Sequence, residues 1–229
     1  INRRTAAVQV TLNPVQASSF KRIHAHQYVR RQQLSIGIDI RPDAEMGYQA
    51  CINASTQPPT QGNFGAGTGA TVGKILGMGQ AMKAGIGTAS MEIGGGVLVG
   101  AIVAVNAFGD VISPRDGEII AGARAVEKRA LHIGAPGYFA NTLDVMQSLV
   151  GRTALGLASR GNTVIGVVAT NADFNKEDIN KVAQMAHDGL ARTIRPAHTM
   201  VDGDTIFALA TGKRKADVNI VGAFAAEVF

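Results

Sequence analysis

Cysteine, tryptophan and charged residues are all scarce in this sequence of 229 residues. It has one cysteine, Cys51, no tryptophan, and only 17% charged residues. A single cysteine excludes an intramolecular disulfide and a cysteine-rich zinc site, and the five histidines do not have the spacing of metal ligands. We therefore expect no metal and no other cofactor. A lone cysteine suits a reducing compartment, and no signal peptide is evident, so we expect a cytoplasmic protein.

Long hydrophobic runs are also absent. An uncharged, mainly apolar stretch from Ile93 to Gly109 has only 17 residues and is interrupted by glycines. A membrane-spanning helix needs about 20 apolar residues, and the valines of this stretch favour a buried β-strand instead. We therefore expect no membrane partner.

The net charge of +5 is unevenly distributed. Residues 1–41 contain seven basic residues and one acid, whereas the rest of the chain contains 15 basic and 16 acidic residues. The basic segment has few aromatic side chains that could stack on bases, so we do not expect nucleic-acid binding. We divide the chain into a basic N-terminal arm, residues 1–40, and a domain of residues 41–229.

Glycine is abundant, with 28 residues, and part of the excess lies in one loop. This loop, from Gly65 to Lys74, does not fit a phosphate-binding P-loop, because Thr68 stands where the first glycine belongs and Ile75 where a hydroxyl belongs. It matches a relaxed dinucleotide-binding pattern but lacks the expected preceding strand. The same loop can bring a backbone close to a reacting centre and place Lys74 there as a cation. Taken alone, Lys74 is more simply interpreted as a solvated side chain.

Periodicity and turn residues predict strands and helices in alternation. A helix is expected from Pro42 to about Ser55, and Asn175 is expected to cap a helix with an apolar face. Strands are predicted at 86–93, 96–106, 163–170 and 205–211, a helix at 138–151, and a final apolar segment at 218–229. The fold class is therefore mixed α and β.

Two polar motifs precede predicted strands. Asp202 and Asp204 lie two residues apart, so their carboxylates can share one face and act on one group, although an acidic turn explains the same pattern. Asn162-Thr163 follows a glycine and begins a strand. A threonine can be activated by its own α-amine, and cleavage before Thr163 would create that amine. An ordinary turn-to-strand junction gives the same pattern, so spacing alone leaves both interpretations open.

Several longer motifs resemble one protein family when they are taken together. In chain order they are Asn63–Lys74, Ala104–Asp110, Gly161–Thr170, His187–Arg192 and Arg195–Gly212. They resemble the L-aminopeptidase/D-esterase family of self-processing N-terminal-nucleophile hydrolases, which includes the β-aminopeptidases and a nylon-oligomer hydrolase. The resemblance runs from about Arg41 to the last residue.

The resemblance implies an α/β fold, a four-layer αββα sandwich like that of ornithine acetyltransferase, and a precursor that cuts itself between Asn162 and Thr163. Thr163 would then begin the β chain and act as the nucleophile, with its freed amine as base. Asn106 would help to stabilise the oxyanion, and Lys74 would lie near the nucleophile.

By the same resemblance, Asp202 and Asp204 would orient the nucleophile and its amine. The implied activity is that of an aminopeptidase, amidase or esterase, which releases N-terminal residues from small peptides, amides or esters through an acyl-enzyme. The family also implies a homo-oligomer of αβ units.

Residues 1–38 do not match the region that precedes these motifs in the family, which supplies strands, a helix and a tyrosine near the active site. We therefore expect an incomplete sandwich, and no residue here is assigned the role of that tyrosine. Two alternatives follow: a truncated family member without catalytic activity, or an acyltransferase of the ornithine acetyltransferase type.

Overall fold

The computed structural model describes residues 43–54, 59–128, 131–133, 138–156 and 161–229. The basic arm of residues 1–40 lies outside them. The helices are α1 (Ala44–Ile52), α2 (Thr142–Gln147), α3 (Leu149–Gly156), α4 (Lys176–Thr193) and α5 (Val218–Val228). The strands are β1 (Thr71–Val72), β2 (Met82–Lys83), β3 (Ile86–Glu92), β4 (Leu98–Ala104), β5 (Asp110–Ile112), β6 (Ile119–Ala121), β7 (Val126–Lys128), β8 (Leu131–Ile133), β9 (Ile165–Ala172), β10 (Ile194–Arg195) and β11 (Thr205–Arg214). The mixed α and β class expected from the sequence is confirmed.

The prediction of one helix over residues 138–151 was wrong in its extent. Two helices, α2 and α3, meet at Ser148, whose backbone is extended rather than helical. The Oγ of Ser148 accepts a hydrogen bond of 3.0 Å from the backbone N–H of Gly151. This hydroxyl therefore caps the second helix, and a serine in that role favours a break in the helical path.

The principal sheet has four strands in the order β11-β9-β4-β3. β9 lies inside it, parallel to β11 and antiparallel to β4. α4 and α5 pack on one face, and the core between them and the sheet includes Val99, Val168, Val182, Ala186 and Val221. The side chains in register on the opposite face, including Ile102 and Val167, are partly exposed, so the described residues cover that face incompletely.

α4 is positioned by a side-chain cap at its N-terminus and by a glycine near its C-terminus. The Asn175 side chain accepts from the backbone N–H of Asp178 at 2.8 Å, as the predicted cap requires. Near the other end, a Cβ at Gly189 would collide with the Ala226 carbonyl oxygen of α5. Glycine thus allows the two helices to approach closely over the sheet.

Three strands of the principal sheet begin or end at one edge. Because β9 and β11 are parallel, they begin side by side, with Thr205 paired with Ile165. Because β4 is antiparallel to β9, it ends at this edge, where Ala104 is paired with Ile165. The segments just before β9, just before β11 and just after β4 therefore lie together, although they are far apart in the sequence.

The glycine-rich loop runs beside the segment that follows β4. The backbone N–H groups of Gly73 and Lys74 donate to the carbonyl oxygens of Gly109 and Phe108, both at 2.9 Å. Gly73 has φ of +67°, and a Cβ there would collide with the backbone of residues 122–123. Only glycine fits this position, and the loop consequently brings Lys74 to the edge described above.

Within the described residues, no helix is long and apolar enough to cross a membrane.

Candidate active site

Thr163 lies two residues before β9, at the edge where the three strands meet. It is only 5% exposed. Its backbone N–H donates to the Asn106 carbonyl oxygen at 2.9 Å, and its hydroxyl Oγ1 donates to the Asn162 carbonyl oxygen at 2.5 Å. The hydroxyl is therefore held against the peptide group that links Asn162 to Thr163. This contact places Oγ1 beside the carbonyl group that the hydroxyl would attack.

The carbonyl oxygen of Asn162 accepts a second hydrogen bond. The backbone N–H of Gly203 donates to it at 2.9 Å, and Asn162 forms a parallel bridge with Asp202. The pairing between β9 and β11 thus extends upstream of both strands and across the Asn162–Thr163 junction. When the Thr163 hydroxyl attacks, the Gly203 N–H remains as a donor to this oxygen and would stabilise the negative charge that develops there.

Asn106 connects the glycine-rich loop to this junction. It is 4% exposed, and its amide Nδ2 donates to the Gly161 carbonyl oxygen at 3.0 Å. Its Oδ1 accepts from the backbone N–H of Thr71 at 3.2 Å and from the Lys74 Nζ at 2.6 Å. All these groups fix the orientation of one side-chain amide beside Thr163.

Lys74 is a half-buried cation and not a freely solvated one. Its Nζ donates to both oxygens of Asn106, at 2.6 Å to Oδ1 and 3.1 Å to the backbone carbonyl. Burial lowers the pKa of Lys74 to about 8, and the nearby Asp202 carboxylate opposes this shift. An amine with such a pKa can gain or lose a proton close to neutral pH, which suits acid–base chemistry.

The lowered pKa of Lys74 predicts a specific pH dependence of stability. Between the folded pKa of about 8 and the ordinary 10.5, the unfolded chain holds a proton that the folded chain has lost. Stability should therefore rise with pH in this window, by at most about 1.4 kcal/mol per pH unit. Urea unfolding of an uncut Thr163→Ala chain, with and without Lys74→Met, measures the effect. An equal pH dependence in the two chains would contradict the assignment.

The two carboxylates lie beside the junction but bind different groups. Asp202 accepts from the backbone N–H of Phe108 at 3.2 Å and from the Thr199 hydroxyl at 2.6 Å. Burial raises the pKa of the Asp202 carboxyl; hydrogen bonds from these two residues lower it, and Asp204 raises it further. Asp204 instead accepts from the backbone N–H of Val164 at 2.9 Å. The two carboxylates therefore have different hydrogen-bond partners, although they lie two residues apart in the sequence.

The structure thus brings Lys74, Asn106, Thr163 and both aspartates to one edge of the sheet. The sequence reasoning missed His198, whose ring Nδ1 lies 3.0 Å from Oδ2 of Asp204. Its position six residues before Asp204, inside one of the long motifs, was the available signal. The described residues contain no group of three or more His, Cys, Asp or Glu side chains that could hold a metal ion.

Comparison with known proteins identifies the family. Residues 37–228 match peptidase family S58, and the chain belongs to this family. It is 40% identical over 191 residues to an uncharacterised aminopeptidase of Mycobacterium leprae (strain TN), a match that covers 80% of this chain and 48% of the relative. It is 28% identical over 202 residues to a 6-aminohexanoate-oligomer endohydrolase of Agromyces sp. (strain KY5R), which covers 82% of this chain and 54% of that protein. The chain spans about half the length of these relatives.

Solved structures support the same assignment of the fold. A β-aminopeptidase of Burkholderia sp. is similar with a TM-score of 0.50 and 24% identity, over 84% of this chain and 50% of the other. A protein from Pyrococcus horikoshii OT3 is similar with a TM-score of 0.50 and 21% identity, over 93% and 60%. The family resemblance seen in the sequence is confirmed, and it places the chain in a family of hydrolases.

Proposed function

We propose that this chain is a self-processing hydrolase, which cuts its own Asn162–Thr163 bond and then uses Thr163 as the nucleophile of an aminopeptidase or amidase. The observation that carries the proposal is the hydrogen bond of 2.5 Å between the Thr163 hydroxyl and the Asn162 carbonyl oxygen, inside a buried junction. Membership of peptidase family S58 supports it independently.

The first reaction is intramolecular. Oγ1 of Thr163 attacks the carbonyl carbon of Asn162, the bond from that carbon to the Thr163 nitrogen breaks, and the hydroxyl proton goes to the released nitrogen. The Gly203 N–H already donates to the oxygen that becomes negative in this step. Water then hydrolyses the resulting ester, which leaves a carboxylate on Asn162 and a free hydroxyl and α-amine on Thr163.

The second reaction uses the new N-terminus. The α-amine of Thr163 takes the proton of its own hydroxyl, and Oγ1 attacks the carbonyl carbon of a substrate. The leaving amine or alcohol departs with a proton, and water then releases the acyl group from Oγ1. Asn106 contacts Thr163 through its backbone carbonyl oxygen, and we assign its Nδ2, which donates to the Gly161 carbonyl oxygen in the uncut chain, as the donor to the developing oxyanion.

Lys74 and the two aspartates support these steps from around the nucleophile. Lys74 holds Asn106 through one hydrogen bond to the side-chain Oδ1 and one to the backbone carbonyl oxygen. Asp204 holds the backbone immediately after Thr163, and Asp202 holds the segment after β4 through the Phe108 N–H. We propose that Asp202 and Asp204 orient the nucleophile and its amine.

We propose small peptides, amides and esters as the substrates, with release of an N-terminal residue. The relatives named as an aminopeptidase and an oligomer endohydrolase support a substrate with an amide bond. We further propose that the processed enzyme is a cytoplasmic homo-oligomer of αβ units, with no nucleic-acid or membrane partner.

Intact-mass spectrometry of the purified wild-type chain tests the proposal. We expect two fragments, residues 1–162 and 163–229, whose summed mass exceeds that of the uncut chain by one water molecule. Labelling of free α-amines should identify Thr163 as a new N-terminus. A wild-type chain that is folded but uncut would contradict the proposal. Product formation that requires an added amine acceptor would instead indicate acyl transfer.

A further inference from the structure

His198 binds the carboxylate that holds the chain beside the nucleophile. Its ring Nδ1 lies 3.0 Å, and its backbone nitrogen 3.2 Å, from the same oxygen of Asp204, Oδ2. The other oxygen, Oδ1, accepts from the backbone N–H of Val164 at 2.9 Å. One carboxylate group therefore links His198 to the residue that follows Thr163.

The environment of this carboxylate makes the link rigid. The Asp204 side chain is only 4% exposed, so solvent cannot readily replace a lost donor. Two donors on Oδ2 prevent the carboxylate from rotating away from the Val164 N–H. The negatively charged group nearest to it in the same segment, Asp202, repels it and so adds to the need for donors.

The backbone of His198 is in an unusual conformation for this purpose. Its φ is +56°, in the left-handed region that non-glycine residues rarely adopt. This conformation lets the ring and the backbone N–H reach the same oxygen. On its other side, the ring packs against His187 of α4, with ring centroids 4.9 Å apart. Burial lowers the pKa of His187, and the nearby His198 lowers it further, which favours a neutral packing partner.

We propose that His198 is a positioning residue for the reactions of Thr163. Its Nδ1–H and backbone N–H fix Asp204, and Asp204 in turn fixes the Val164 N–H and hence the position of the Thr163 hydroxyl. The inference rests on the proposed function, because it concerns the same nucleophile. A displacement of a reacting atom by about 1 Å can reduce a rate by about 10²-fold, so loss of this link should affect the chemical step.

Two substitutions at position 198 form a matched pair. Asparagine and glycine both tolerate a positive φ, so neither adds strain to the backbone. His198→Asn keeps a side-chain N–H close to the position of the ring Nδ1, whereas His198→Gly removes the donor. We expect His198→Gly to slow self-cleavage by about 10–100-fold, and His198→Asn to remain within about threefold of the wild type. In the processed enzyme, the glycine variant should lower kcat and leave KM nearly unchanged.

The controls separate this inference from the proposed function. The same substitutions in an uncut Thr163→Ala chain, followed by circular dichroism and thermal unfolding, identify variants that are folded. Equal rates for the wild type and a folded His198→Gly variant would overturn the inference, as would equally slow glycine and asparagine variants. An uncut wild type would contradict the proposed function.

Nitrogen-15 NMR spectra of the Thr163→Ala chain give an independent test. The neutral His198 ring should carry its proton on Nδ1. A proton on Nε2 alone would overturn the inference, whatever the cleavage rates.

Discussion

Replacing Thr163 by alanine is expected to leave the chain as a single polypeptide without hydrolase activity. The substitution removes the hydroxyl that donates to the Asn162 carbonyl oxygen, and it leaves the backbone N–H of residue 163 on Asn106. Self-cleavage and turnover should both fall by at least about 10⁴-fold, as is usual when a covalent nucleophile is removed. Intact-mass spectrometry and the release of an amine from a small peptide amide measure the two losses.

Serine at position 163 is the matched control. Thr163→Ser retains the hydroxyl and loses one methyl group in a buried site, so cleavage should persist within about tenfold of the wild-type rate. Cleavage between residues 162 and 163 in the alanine variant would mean that another group attacks the bond. Loss of cleavage in a folded serine variant would mean that the hydroxyl alone is insufficient.

Replacing Asn106 by aspartate should have the second-largest effect. Aspartate retains an oxygen for the Thr71 N–H and the Lys74 Nζ, but it places a second oxygen where Nδ2 now donates to the Gly161 carbonyl oxygen at 3.0 Å. Two acceptors then face each other, and the donor for the oxyanion is lost. We expect the rate of substrate hydrolysis by the processed enzyme to fall by about 10²–10³-fold.

Asn106→Ala separates the loss of the amide donor from a loss of stability. Alanine removes the side-chain acceptor of the Thr71 N–H and one of the two acceptors of the Lys74 Nζ, and a buried polar group that loses its partner costs about 1–3 kcal/mol of stability. The alanine variant should therefore unfold at a lower urea concentration than the aspartate variant. A processed Asn106→Asp enzyme that hydrolyses a small peptide amide at the wild-type rate would contradict the role of the amide.

The sequence allowed prediction of those features that depend on local pattern. Alternating elements were evident from periodicity, and Asn175 was correctly predicted to cap a helix because a cap depends on residues within one turn. The start of β9 just after Thr163 was placed to within two residues. The family resemblance selected Asn106, and it also selected Lys74 and the two aspartates, for which spacing alone favoured simpler interpretations.

Features that depend on contacts between distant segments could not be predicted in the same way. The bond from Gly203 to the Asn162 carbonyl oxygen requires the parallel pairing of β9 with β11, whose register is not encoded locally. The contact of His198 with Asp204 depends on a positive φ that histidine seldom adopts. The separate partners of Asp202 and Asp204 likewise follow from the turn before β11 and not from their spacing.

The strand order β11-β9-β4-β3 has a consequence for the chain once it is cut. β3 and β4 precede residue 162, whereas β9 and β11 follow it, so the six residue pairs between β4 and β9 become contacts between two separate polypeptides. The two fragments would then be held together by a shared sheet and core, with no covalent connection. Unfolding would release two molecules from one, and the melting temperature of the processed form would rise with protein concentration while that of the uncut chain would not.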